Sequence, residues 1–176
     1  QGMSLRTGMT YGTASAIAGA AAILTAVLFG ESFGLGTIIN IAGCAIMIDA
    51  IQAAHLIPQM HGLVSGIAML IGGLELLALG TWLYMKSALG SGPRDALMVA
   101  LARKFGRSAG ACRAVVDVLV TVIGFFLGGP VGVGTIISAV GLGPLINLNF
   151  AAARFKPAKV HQENAAETIA RISGKR

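Results

Sequence analysis

Arg113 and Asp117 stand four residues apart, and Arg94 and Asp95 are neighbours, in a chain that is otherwise strongly apolar. Two further acids, Asp49 and Glu75, also fall inside apolar stretches. A charge at the centre of a bilayer costs at least about 2.5–3.5 kcal/mol on insertion scales, so such groups face the protein interior, pair, or meet water. The i, i+4 spacing puts Arg113 and Asp117 on one helix face. They can neutralise each other or form the charged wall of a polar cavity. Arg94 and Asp95 follow the break "LGSGP" at 89–93. Gly92 reads as an N-cap, Pro93 as the first helical residue and Asp95 as a first-turn acid. There the carboxylate can cap free backbone N–H groups at the positive helix end, or it can serve a ligand. Glu75 follows Gly72 and Gly73 with no partner near it in sequence. It is the candidate for proton coupling; an acid paired inside the helix bundle is the alternative. Asp49 can simply face the far interface.

The expected substrate-binding set is therefore Arg94, Asp95, Arg113 and Asp117, converging with Glu75 on one polar cavity. Two arginines and a helix N-terminus together favour an anionic or carboxylate-bearing small molecule.

Composition limits what can position these groups. Of 176 residues, 55% are hydrophobic and 11% charged, with a mean hydropathy of +0.80. Soluble domains carry about 25% charged residues. The length suits one domain. The net charge of +6 is unevenly placed: six of thirteen Lys and Arg lie in 154–176, and five more from Lys86 to Arg107. Basic flanks of membrane helices explain this, so no nucleic-acid partner is expected. Cys44 and Cys112 lie in apolar runs and read as buried free thiols. His55 and His61 bracket a short loop that offers too few ligands for a metal. No Ser-His-Asp, Cys-His, Walker or HExxH pattern occurs. Neither an enzyme nor a cofactor is expected.

Five runs approach the roughly 20 apolar residues that a spanning helix needs: about 10–29, 36–54, 62–85, 108–127 and 134–153. Trp82 and Tyr84 fit an interfacial aromatic belt. The helix expected from 93 to about 104 spans only about 18 Å at 1.5 Å per residue. It is too short to cross and reads as a half-helix, re-entrant or interfacial. Such breaks at membrane depth survive where protein or a watery cavity surrounds them.

The chain also repeats itself. "FGLGTII" at 33–39 returns as "VGVGTII" at 131–137, an offset of 98. Without gaps, residues 1–51 align on 99–149 with eleven identities, six of them glycine. The shared GxGT elements, Gly34, Gly36 and Thr37, then Gly132, Gly134 and Thr135, would bring two helix N-termini toward one region. Close helix packing is the simpler use of these glycines. At the same offset the "GSGPRD" stretch maps before residue 1. The first repeat is therefore expected to be truncated at its N-terminus, lacking one helix and a Gly-Pro break.

The stretches "GSGPRDALM" (90–98), "GGPVGVGTIISAVGLGPLI" (128–146), "TGMTYGTAS" (7–15) and "FGLGTIIN" (33–40) resemble the YczE/YitT-type family of small bacterial integral membrane proteins. The likeness covers nearly all of 1–150. It implies two related halves, each with a GxGPxD-like element, matched here by Gly90, Gly92, Pro93 and Asp95. It further implies a bacterial inner-membrane location and a transport role, and it brings no established binding residues.

The expected architecture is all-α: a polytopic transmembrane bundle over 1–153 with an internal, inverted repeat and a short broken or re-entrant helix. The first repeat covers about 1–54 and the second about 62–153. Residues 154–176 form a basic cytoplasmic tail. The expected function is a small secondary transporter or permease for an unknown small molecule. The alternative is a non-transporting membrane protein that assembles with or regulates a partner. Beyond the lipid bilayer no partner is identified, and a homo-oligomer is left open.

Overall fold

The computed structural model describes residues 1–31, 34–58, 60, 62–157 and 160. Among them are seven helices: α1 (Gly2–Thr7), α2 (Tyr11–Leu28), α3 (Leu35–Ala53), α4 (Leu63–Lys86), α5 (Pro93–Phe105), α6 (Ala109–Phe126) and α7 (Val133–Ala152). Five of them, α2, α3, α4, α6 and α7, are long and apolar enough to cross a membrane. The protein is a multi-pass integral membrane protein. Its outer surface shows why: Leu24, Leu28, Ile46, Leu76 and Phe126 are all exposed. An aqueous surface does not tolerate so large an apolar area, whereas lipid tails do. Each span ends within one residue of its expectation from the sequence. The short α1 was not foreseen. His61 and residues 161–176 of the basic tail lie outside the described residues.

The core gathers where α4, α5, α6 and α7 meet, around Met85, Met98, Val99, Cys112 and Ile146. Small residues let these helices approach closely. Cys44, in contrast to the expectation, is exposed on α3; only Cys112 is buried. A helix with few inward contacts presents most of its apolar residues to lipid.

Helix α5 is short for a physical reason at each end. Gly92 caps it, Pro93 opens it, and Gly106 closes it at φ 62°, in the left-handed region. Its 13 residues reach about 20 Å at 1.5 Å per residue, short of a hydrocarbon core of about 30 Å. It packs between α2 and α6. Pro93, at its start, lies against Gly19 in the middle of α2, 3.1 Å from where a methyl there would stand. Its last turn reaches Glu31 and Phe29, just beyond the end of α2.

Local features recur at the offset of 98. Thr10 caps α2 by accepting from the Thr13 N–H, and Ser108 caps α6 by accepting from the Ala111 N–H. Both helices have 18 residues. Gly30 and Gly128, which follow them, have φ 88° and 83°. The Gly34 N–H donates to Thr37 Oγ1 at 3.3 Å, and the Gly132 N–H to Thr135 Oγ1 at 3.4 Å. Two polar clamps complete the correspondence. The Gly12 N–H donates to Asp49 Oδ1 at 2.7 Å, joining α2 to α3. The Gly110 N–H donates to Asn147 Oδ1 at 2.8 Å, joining α6 to α7. A methyl at either glycine would run into a backbone carbonyl, of Ala45 or of Gly143.

Candidate functional site

The break between α4 and α5 is held by the start of α3. The Gly36 N–H donates to the Leu89 carbonyl at 3.0 Å. The Thr37 hydroxyl donates to the Ser91 carbonyl at 2.8 Å. Gly90 adopts φ 115°, and a Cβ there would meet Thr37 Oγ1 at 2.7 Å. Thr37 and Ser91 are almost completely buried. The GxGT element at 34–37 is thus a backbone receptor for the break, and it fixes where α5 begins.

That start carries the site. Asp95, in the first turn of α5, is buried and bonded on both oxygens. Tyr84 at the end of α4 donates its hydroxyl to Oδ2. Arg113 Nη1 of α6 donates to Oδ1. Arg113 Nε donates in turn to Asp117 Oδ2 at 2.8 Å. The Gly92 N–H donates to the Tyr84 hydroxyl at 3.3 Å, which ties the network back to the break. Asp95, Arg113 and Asp117 are only 8%, 5% and 8% exposed. Three ionisable groups at that burial are stable together because each carboxylate meets the same guanidinium. Among the described residues no buried side-chain polar atom lacks a hydrogen-bond partner.

The sequence-derived set is therefore divided. Asp95, Arg113 and Asp117 come together. Arg94 does not: it is exposed and takes no part in the network. Consecutive helix residues point about 100° apart, since 3.6 residues make a turn, so burying Asp95 turns Arg94 outward. Glu75 is also apart, half-buried between α4 and α7, where Asn149 Nδ2 donates to its Oε1 at 2.9 Å. Among the described residues the second GxGT element holds no break segment; Gly132 and Gly134 are exposed. The expected convergence of all five charges on one cavity is thus reduced to three of them, which meet in a buried hydrogen-bonded network. Of two cavities at the periphery, one lies between the starts of α4 and α7, and the other at the end of α5. The buried network lines neither.

Sequence reading missed Tyr84, assigned there to an aromatic belt. It missed Asn149 as the partner of Glu75, and the ion pair of Glu31 with Arg103 at 2.7 Å. Only the position of Tyr84, shortly before the Gly-Pro break, offered a hint.

The sequence model of a family of unknown function, DUF6198, matches residues 1–150. An uncharacterised protein of Haemophilus influenzae is 34% identical over 146 residues, covering 83% of this chain and 66% of that protein. An uncharacterised membrane protein of Bacillus subtilis, YczE, is 28% identical over 157 residues, covering 84% of this chain and 72% of the other. The chain thus spans about two thirds of the length of these relatives. No solved structure matches.

Proposed function

The chain belongs to the DUF6198 family, and we propose that it acts as a small secondary transporter or permease of the bacterial cytoplasmic membrane. The observation that carries the reading is the buried carboxylate at the N-terminus of a broken half-helix, paired with an arginine. Transporters build sites near the midplane from such discontinuous helices in related halves. In this reading α5 is re-entrant: it starts against the middle of α2 and ends beside the turn after α2. The halves are then inverted, with α2 and α6 running in opposite directions. Lys86, Arg103, Lys104, Arg107, Arg154 and Lys156 then share one side of the membrane, while Arg6 lies on the other. Excess positive charge marks the cytoplasmic side.

Charge balance refines the substrate class. Arg113 already holds two carboxylates, which leaves the network one negative charge when all three groups are ionised. It offers an anion little and suits a proton or a small cation. Asp95 and Asp117 are therefore the coupling acids in this reading, and Glu75 is a second, separate acid. No enzymatic step is part of it. The test is proteoliposomes loaded with a pH-sensitive dye and challenged with a panel of small solutes. Solute-dependent proton flux in the wild type that Asp95→Asn abolishes supports the reading. Flux unaffected by Asp95→Asn, or none with any solute, counts against it.

A second reading is a non-transporting protein that assembles with a partner. One observation favours it: the described cavities lie at the periphery, away from the buried network. A stable complex recovered with a single membrane partner, together with absent flux, would select it.

A further inference from the structure

The last turn of α5 carries two adjacent cations, Arg103 and Lys104. Arg103 Nη1 lies 2.7 Å from Glu31 Oε1. Lys104 Nζ stands 4.6 Å from the centre of the Phe29 ring. Together with Leu28, Gly30 and Ala100 these residues line a cavity of about 260 Å³. Its polar wall is lopsided. The Glu31 side chain is 5% exposed, while that of Arg103 is 46% exposed. Burial pushes the Glu31 carboxyl above its usual range, although Arg103 opposes the shift. Two cations against one carboxylate leave the cavity with a net charge of +1.

Its place matters as much as its charge. The α2 span ends at Leu28, so the cavity sits at the level where lipid headgroups begin. Leu28 in its wall and Leu24 one turn earlier on α2 are 83% and 68% exposed and offer an apolar track. Arginine presents a planar fork that matches phosphate oxygens, and lysine adds a point charge. Basic pockets between membrane helices hold anionic headgroups. The net +1 balances the single charge of a phosphodiester.

We propose that this cavity is a binding site for a phosphate-bearing anion, with Arg103 and Lys104 as its ligands and Glu31 as the acid that weakens it. The site lies away from the Asp95 network and does not depend on a transport role. Bound there, the anion bridges α5 to the turn after α2 and pins the half-helix in place.

The test uses the full chain in detergent with three probes: phosphatidylglycerol, phosphatidylcholine and inorganic phosphate, read by native mass spectrometry and thermal unfolding. Saturable binding of phosphatidylglycerol over phosphatidylcholine is expected. The double variant Arg103→Ala, Lys104→Ala is expected to weaken it about tenfold or more, because it removes both charged donors. Glu31→Gln is expected to tighten binding several-fold. The charge-keeping pair Arg103→Lys, Lys104→Arg retains binding and guards against misfolding. Competition by millimolar inorganic phosphate would identify a soluble phosphate as the ligand; no competition would identify the lipid. Equal phosphatidylglycerol binding by wild type and the alanine pair, weaker binding by Glu31→Gln, or no binding of any probe would overturn the proposal.

Discussion

The α2–α3 hairpin and the α6–α7 hairpin are built alike and filled differently. Both start from a hydroxyl cap, both pass a left-handed glycine, and both close through a glycine N–H on a polar side chain. Yet where α6 carries Arg113 and Asp117, the offset of 98 places Ser15 and Gly19 in α2. The glycine lets Pro93 of α5 lie close against α2, while the arginine draws in Asp95 from the other side of the same short helix. One hairpin is thus a packing wall for α5, and the other is its electrostatic anchor. The two hairpins share caps, turns and clamps, and the charged chemistry enters at positions where they differ.

The sharpest way to break this comparison is to remove the anchor. Arg113→Ala leaves two buried carboxylates facing each other without a cation. It is expected to cost about 3–5 kcal/mol, seen as a large drop in thermal unfolding temperature in detergent. Ser15→Ala, at the matching position of the first hairpin, is expected to stay within about 0.5 kcal/mol. Equal effects would mean that the arginine is not an anchor. The scaffold variants should instead behave alike. Gly12→Ala and Gly110→Ala each drive a methyl into a backbone carbonyl, and each is expected to cost about 1–3 kcal/mol. A large loss for one and none for the other would dissolve the likeness of the two clamps.

Smaller effects sharpen the account. Asp49→Asn makes the first clamp chemically the same as the second, which uses Asn147. It keeps the acceptor for Gly12 and is expected to cost less than about 1 kcal/mol. The smallest effect is a slope. Glu31 has its carboxyl pushed up from 4.5 by burial, so the folded state holds that proton more tightly than the unfolded chain. Its contribution is complete below the unfolded value and is lost as pH rises through the folded one. Unfolding temperature should therefore fall more steeply above pH 4.5 in wild type than in Glu31→Gln. Parallel profiles would contradict the shift.

Much of the scaffold was legible in the sequence, because lipid imposes a simple rule. A run of about 20 apolar residues must be a helix, since no water is present to satisfy its backbone. The Gly-Pro start of α5 was legible for a similarly local reason. The site was legible only in part. Arg113 and Asp117 reveal each other through i, i+4 spacing, but nothing in the spacing of Asp95 and Arg113 says that they meet. Arg94 looked equivalent to Asp95 and is not, because one step along a helix turns the side chain away. Tyr84 looked like a membrane-belt residue, but its hydroxyl donates to Asp95 across the break. Partners brought together by packing, such as Glu75 with Asn149 or Glu31 with Arg103, leave no periodic trace.

In the proposed arrangement the α2–α3 and α6–α7 hairpins stand in opposite orientations, with the charged anchor in only one of them. Its most direct test is thiol accessibility at the matched, exposed positions Thr7 and Phe105, each replaced by cysteine after Cys44 and Cys112 have been changed to serine. A membrane-impermeant maleimide is applied to spheroplasts and to inside-out vesicles. With the hairpins inverted, Thr7→Cys is labelled from the outside and Phe105→Cys from the cytoplasmic side. Labelling of both from the same side would make the hairpins parallel and contradict it.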